Sequence, residues 1–143
     1  MDTQEIDQDQ WGPSGWSFIH YIALKYPKDP TNEDKEKYFT FLNTLQYVLP
    51  CEKCAANYGK NLEELPIRES LSNNADLFKW TVDIHNLVNT ELNKPTLTYE
   101  EALNIYLNKT NKTYNVYILL SFGLLVILLI YYCYKNKIFS RFK

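Results

Sequence analysis

The sequence predicts an all-α protein: a compact five-helix bundle, with a four-helix core plus a short fifth helix, followed by one C-terminal transmembrane helix. Three observations carry this. Between Pro27, Pro30, Pro50, Pro66 and Pro95 the apolar residues recur at spacings of three and four rather than alternately, which is the period of helices and not of strands. From Thr113 to Tyr134 run 22 residues without a charge; at about 1.5 Å each they reach roughly 33 Å, enough for a hydrocarbon core of about 30 Å. Only four glycines are present, and neither a G-x-G-x-x-G nor a G-x-x-x-x-G-K-[ST] run occurs, so no strand–loop–helix phosphate cradle is written here.

The elements follow in order. Residues 1-10 form an acidic N-terminal segment, and the bundle domain spans 11-108. Ser14 is the expected N-cap of a first helix to about Tyr26, on which Trp16, Ile19, His20 and Ala23 share a face. Thr31 caps a second helix to about Leu49, with Tyr38, Phe41, Leu42, Leu45 and Val48 as its inner stripe, and Pro50 ends it. A third helix starts at Cys51 and runs to about Leu62, and the stretch 66-74 is a loop. Asn73 or Asn74 caps a fourth helix to about Asn93, its apolar positions Leu77, Thr81, Ile84, Val88 and Leu92 punctuated by His85 and Asn89. Thr98 and Glu101 make a capping box for a short fifth helix to Asn108. Residues 109-113 are a linker, 114-134 the transmembrane helix and 135-143 a basic tail.

Charge separates these parts. The chain carries 15 Lys+Arg against 17 Asp+Glu, which leaves no cationic excess to grip a polyanion and speaks against a nucleic-acid partner. Residues 135-143 hold four basic side chains and no acidic one, and tyrosines 114, 117, 131, 132 and 134 flank the span as an interfacial belt does. The basic tail favours a cytoplasmic C-terminus, whereas the first ten residues carry four acids and neither a signal-peptide nor a transit-peptide pattern. A single span so close to the C-terminus suits a tail anchor with the domain facing the cytosol. The sequons Asn108-Lys109-Thr110 and Asn111-Lys112-Thr113 would fit an exported domain instead.

Cys51-Glu52-Lys53-Cys54, set just after Pro50 at a helix start, is the chemical centre of the sequence. Unpaired amides and the positive end of the helix dipole stabilise a thiolate there, and the i, i+3 spacing lets the two sulfurs meet. Such a pair cycles between dithiol and disulfide through a mixed disulfide, carrying two electrons per turn. The competing reading is a zinc site in which His20 and His85, the only histidines, complete the ligands and the chain is a tail-anchored zinc-stabilised adaptor. Each lies 31 residues from the nearer cysteine, unlike compact zinc-finger spacings. A purely structural bridge would close a very small ring and stabilise little. Thioredoxin-like exchange is disfavoured because no βαβ pattern surrounds the motif.

Trp11, Trp16 and Trp80, with His20, His85, Tyr38 and Tyr47, supply flat, polar-edged surfaces suited to an aromatic ring cofactor. His85, Asn86 and Asn89 are unusual on an inward face, since burying them is costly unless a partner meets their donors and acceptors.

These residues converge on a family. Trp11-Gly12-x3-Trp16-x3-His20, then Cys51-x2-Cys54-Ala55, then His85-Asn86-x-Val88-Asn89-x2-Leu92-x-Lys94-Pro95 resembles the Erv/ALR flavin-linked sulfhydryl oxidases over roughly residues 8-107. The resemblance implies a helical bundle that holds FAD, with contacts from Trp11, Gly12, Trp16 and His20 on one side and His85, Asn86, Val88, Asn89 and Lys94 on the other. It implies that Cys54 faces the flavin ring and that Cys51 exchanges with a dithiol protein substrate, thioredoxin-like in character, with O2 as final acceptor and H2O2 as product. It also implies a homodimer through the first two helices. Two positions depart from the pattern: Pro13 stands where many members carry a basic residue, and Asn93 where they carry glycine. There is neither a shuttle cysteine pair nor an extra structural disulfide, and Cys133 cannot replace a pair. The minimal domain and membrane tail are similar to the versions of large cytoplasmic DNA viruses, which places such a protein in host cytoplasm and virion membrane.

Overall fold

The computed structural model describes residues 6–135, and the side chains of all of these except 108–116; the basic tail from residue 136 lies outside the described residues. The elements are α1 (Gln8–Lys25), α2 (Asn32–Val48), α3 (Glu52–Glu64), a 3-10 turn (Ile67–Ser70), α4 (Asn74–Glu91) and α5 (Tyr99–Lys135). No strand occurs among the described residues, as the spacing predicted.

Two compact units are present, one up to Ala102 and one from Leu103. In the first, α1 packs against α4, α2 against α3 and α3 against α4, with the 3-10 turn wedged against α2 and α4. Leu42, Leu77, Ile84, Val82, Thr81 and His20 are completely enclosed. Buried polar groups are tied down within this core. The Tyr26 hydroxyl donates to the Leu71 carbonyl and the Tyr58 hydroxyl to the Leu42 carbonyl, both at 3.0 Å, while the Trp80 indole N–H donates to the Leu65 carbonyl at 2.9 Å.

Caps set most helix ends where the residue types placed them. Thr31 forms a full capping box with Asp34, Asn73 accepts from Asp76 N, and Thr98 and Glu101 bond reciprocally. The helix α1 differs from expectation. It begins at Gln8 under an Asp7 cap, six residues ahead of Ser14, and carries Pro13 within it, so Trp11 and Gly12 are helical rather than part of a preceding turn. A proline inside a helix usually marks its edge because it lacks the N–H and crowds the carbonyl four residues back; here the Asp7 side chain, accepting from Asp9 N at 3.0 Å, starts the helix earlier despite it. The stretch expected as a loop contains the 3-10 turn.

The second unit is the body of α5. Where the sequence suggests a short helix, a linker and a separate span, α5 runs without interruption from Tyr99 to Lys135. Its Tyr117–Lys135 segment has mean hydropathy 2.2, none of it buried, and is long and apolar enough to cross a membrane.

Candidate active site

α4 and α1 bring the two histidines together. His20 Nε2 lies 3.0 Å from His85 Nδ1, and His20 Nδ1 lies 2.8 Å from Thr81 Oγ1, one helical turn before His85 on α4. Trp16, one turn before His20, stacks on the His85 ring with centroids 4.1 Å apart and planes 8° from parallel. Phe78 closes the far side of His20 at 5.8 Å. Enclosure shapes the electrostatics: burial, with the neighbouring His85, pushes the His20 imidazole down to about 3, and burial, with the Lys94 ammonium, pushes His85 down to about 4. Both rings are therefore neutral at pH 7.

The cysteines lie at the start of α3. Cys51 is its N-cap, with Sγ accepting from Cys54 N at 3.1 Å, and Cys51 and Cys54 are joined in a disulfide across a Cα–Cα distance of 5.1 Å. Cys51 is buried and Cys54 half-buried. The early start of α1 places Gln8 Oε1 3.4 Å from Cys54 Sγ. The next residue, Asp9, accepts a hydrogen bond from Lys94 Nζ at 3.2 Å, linking the first turn of α1 to the chain beyond α4.

That chain is shaped by backbone chemistry. Leu92 caps α4, Asn93 adopts a left-handed φ of 53°, Asn93 N–H donates to the Thr90 carbonyl at 3.1 Å and Lys94 N–H to the Asn89 carbonyl at 2.7 Å. This is a Schellman ending, in which asparagine takes the place that glycine usually fills. Asn86 holds the following loop: its Nδ2 donates to the Leu97 carbonyl at 2.8 Å and its Oδ1 accepts from Leu97 N at 3.0 Å. The Asn86 amide is thus engaged with backbone. Val88 and Asn89 are half-buried on the same helix.

Several flat side chains expected at the site sit elsewhere. Trp80 is a core residue bonded to Leu65, Tyr38 packs edge-on against Tyr26, and Tyr47 is exposed. Thr81, Phe78, Gln8 and Asp9 were not singled out by sequence. Thr81 was legible as a neighbour of His85, four residues before it on one face; the other three depend on tertiary packing or on the early start of α1. The zinc reading requires Cys51, Cys54, His20 and His85 around one point, and no group of three or more His, Cys, Asp or Glu side chains able to hold a metal occurs among the described residues.

The residues present fit a nucleotide cofactor. The indole Nε1 of Trp11 is buried with no partner, a donor whose desolvation costs about 1–3 kcal/mol unless something accepts from it. A side chain at Gly12, the next residue, would meet nothing within 4 Å. Trp16 and His85 add a flat neutral surface, and the Lys94 ammonium lies close enough to depress His85.

A strand-free helical bundle carrying an oxidised C-x-x-C at a helix N-terminus defines a helical thiol–disulfide redox protein, distinct from the βαβ-based thioredoxins. Residues 13–110 match the Erv1 / Alr family model, and the chain belongs to that family. It is 50% identical over 99 residues to a probable FAD-linked sulfhydryl oxidase of Acanthamoeba polyphaga mimivirus, covering 68% of this chain and 69% of that one. It is 37% identical over 90 residues to the mitochondrial FAD-linked sulfhydryl oxidase of Saccharomyces cerevisiae, covering 62% of this chain and 46% of the relative. Against an FAD-linked sulfhydryl oxidase of African swine fever virus the identity is 31% over 103 residues, 72% of this chain and 85% of the viral one. Among solved structures, the yeast Erv1 core superposes with a TM-score of 0.67 at 28% identity, covering 76% of this chain and 90% of that one. The FAD-binding domain of yeast Erv1 gives 0.66 at 30% identity, covering 71% and 94%.

Proposed function

We propose that this chain is a membrane-anchored, FAD-linked thiol oxidase that forms disulfides in a partner protein. The observation that carries the reading is the Cys51–Cys54 disulfide at the N-terminus of α3 in a chain of the Erv1 / Alr family.

The chemistry of the pair follows from its position. A substrate thiolate attacks Cys51 Sγ; the Cys51–Cys54 bond breaks and Cys54 leaves as a thiolate. The second substrate thiol, deprotonated, attacks the substrate sulfur of the mixed disulfide and releases Cys51 as a thiolate. The substrate is then oxidised by two electrons, which the reduced pair now holds. The Cys54 N–H that points at Cys51 Sγ, with the other unpaired amides of the first turn of α3, stabilises the released charge. FAD, when bound, would supply a two-electron acceptor for the reduced pair, with O2 as the final oxidant and H2O2 as its product. Trp16 and His85 offer it a stacking surface, Trp11 Nε1 a donor and Lys94 a charge for its phosphates, while Gly12, His20, Val88 and Asn89 shape the space. Asn86 acts in this reading by holding the loop that carries Lys94.

The substrate class is a protein dithiol of thioredoxin-like exposure, which exchanges directly with Cys51 in this reading. Exposed Tyr47 and Val48, just before Cys51, give it an apolar landing strip. Phe18, Tyr21 and Phe41 lie exposed on α1 and α2, with Phe18 and Phe41 edge-on at 6.2 Å, which suits a homodimer through these helices. In this reading the Tyr117–Lys135 segment anchors the chain, and the domain faces the cytosol on a host or virion membrane.

The test is oxygen uptake by the flavin-loaded full chain with a dithiol substrate. Cys54→Ser is expected to abolish turnover while the yellow flavin remains bound. Full activity in that variant would sink the assigned roles, and a colourless zinc-containing protein would revive the adaptor.

A further inference from the structure

The hydrogen-bond geometry around His20 fixes where its proton sits. Thr81 Oγ1 lies 2.6 Å from the Phe78 carbonyl oxygen, which can only accept, so the single hydroxyl hydrogen is donated there. The threonine oxygen then meets His20 Nδ1 at 2.8 Å as an acceptor, and Nδ1 must carry the ring hydrogen. The reverse polarity would leave two oxygen lone pairs facing each other at 2.6 Å. A neutral imidazole has one ring hydrogen, so His20 Nε2 is bare and accepts from His85 Nδ1 at 3.0 Å. That contact uses the one hydrogen of His85. His20 is enclosed, His85 is half-buried and both rings are neutral, which removes the second proton that would blur this order.

We propose that Thr81 is a positioning residue for the cofactor site: its hydroxyl sets one tautomer on His20 and, through it, on His85, leaving His85 with an unprotonated Nε2 as acceptor for an N–H donor of the bound nucleotide, of the kind an adenine amine provides. The proposal rests on the FAD reading above and extends it to a residue that touches neither the cysteines nor the cofactor. Discrimination follows, because a base carrying a carbonyl in place of that amine would set two lone pairs against each other.

The experiment uses the full chain in detergent micelles with 15N-labelled histidine; with only two histidines, four ring nitrogens report. Long-range proton–nitrogen correlations at pH 7 are expected to show Nδ1 protonated and Nε2 bare on both rings, before and after flavin addition. Thr81→Val, similar in shape but without the hydroxyl, should move the hydrogen of His20 to Nε2 and weaken flavin binding about tenfold, the size of one hydrogen bond. Thr81→Ser should restore both the ring pattern and the affinity, which a merely space-filling role would not require. A hydrogen on His85 Nε2 in the wild-type chain overturns the proposal. So does a Thr81→Val chain that keeps the wild-type tautomers and affinity. If the valine variant does not fold, the wild-type spectrum alone decides. A wild-type chain that shows the expected tautomers yet binds no flavin overturns the FAD reading and, with it, the assigned acceptor role, whereas a flavin-bound chain with the opposite tautomers overturns the proposal alone.

Discussion

His20 and His85 are two imidazoles that folding keeps uncharged, and that has a signed consequence for stability. An unfolded chain protonates its histidines near pH 6.5, whereas the folded rings are held to about 3 and about 4. Their contribution is therefore complete above pH 6.5 and declines as the pH falls from there toward 4, because the unfolded state binds protons that the folded state refuses. The carboxylates of Asp34, Glu36 and Glu101 are held below their ordinary range by their hydrogen-bond partners. Thermal melts of the flavin-free chain should lose stability between pH 6.5 and pH 5, and His20→Gln should flatten that slope. An equally steep slope in the variant would mean that other groups carry it. The sequence placed these imidazoles one turn from Trp16 and one residue from Asn86 but gave no sign that they meet, since 65 residues separate them.

At the scale of the element, the end of α4 shows one residue type performing another's task. Asn93 occupies the left-handed region in which a side chain usually costs about 1–2 kcal/mol and which asparagine tolerates better than most. Asn93→Gly should leave the melting temperature unchanged or raise it slightly. Asn93→Val should lower stability by about 1–2 kcal/mol and, because Lys94 follows directly, weaken flavin retention as well. A valine variant as stable as wild type would show that the left-handed turn is not held in solution. Caps written in the sequence, Thr31 with Asp34 and Thr98 with Glu101, appear where their side chains predict, because a cap is satisfied within four residues. The start of α1 was not legible for a related reason: Pro13 is a strong local stop signal, whereas the ion pair of Asp9 with Lys94 that the extended helix makes joins residues 85 apart.

For the whole molecule, the uncharged run and the exposed aromatic face lead to separate expectations. The full chain should float with lipid vesicles through Tyr117–Lys135, and Leu124→Lys with Leu128→Lys should release it, since a lysine at the centre of a span costs roughly 2.5–3.5 kcal/mol on insertion scales. Vesicle binding that survives both charges would place the anchor elsewhere. If the first two helices form the dimer, Phe18→Glu should convert it to a monomer by light scattering in detergent without dissolving the disulfide-bearing core, because Phe18 is 59% exposed in the single chain. A dimer unchanged by this charge would remove that face from the interface.

The sequence by itself determined the helical class, most of the helix caps, the pairing of Cys51 with Cys54 and the apolar span, all of which rest on spacings of four residues or fewer or on composition along an unbroken run. Only the tertiary structure decided which polar residues face one another. It gave Trp80 to the core and Asn86 to the backbone of Leu97, brought Gln8 to Cys54, and threaded Thr81, His20 and His85 into one hydrogen-bonded chain. The physical reason is that local propensity is settled within a turn of helix, while the partner of a buried donor is chosen by packing between segments far apart in the chain.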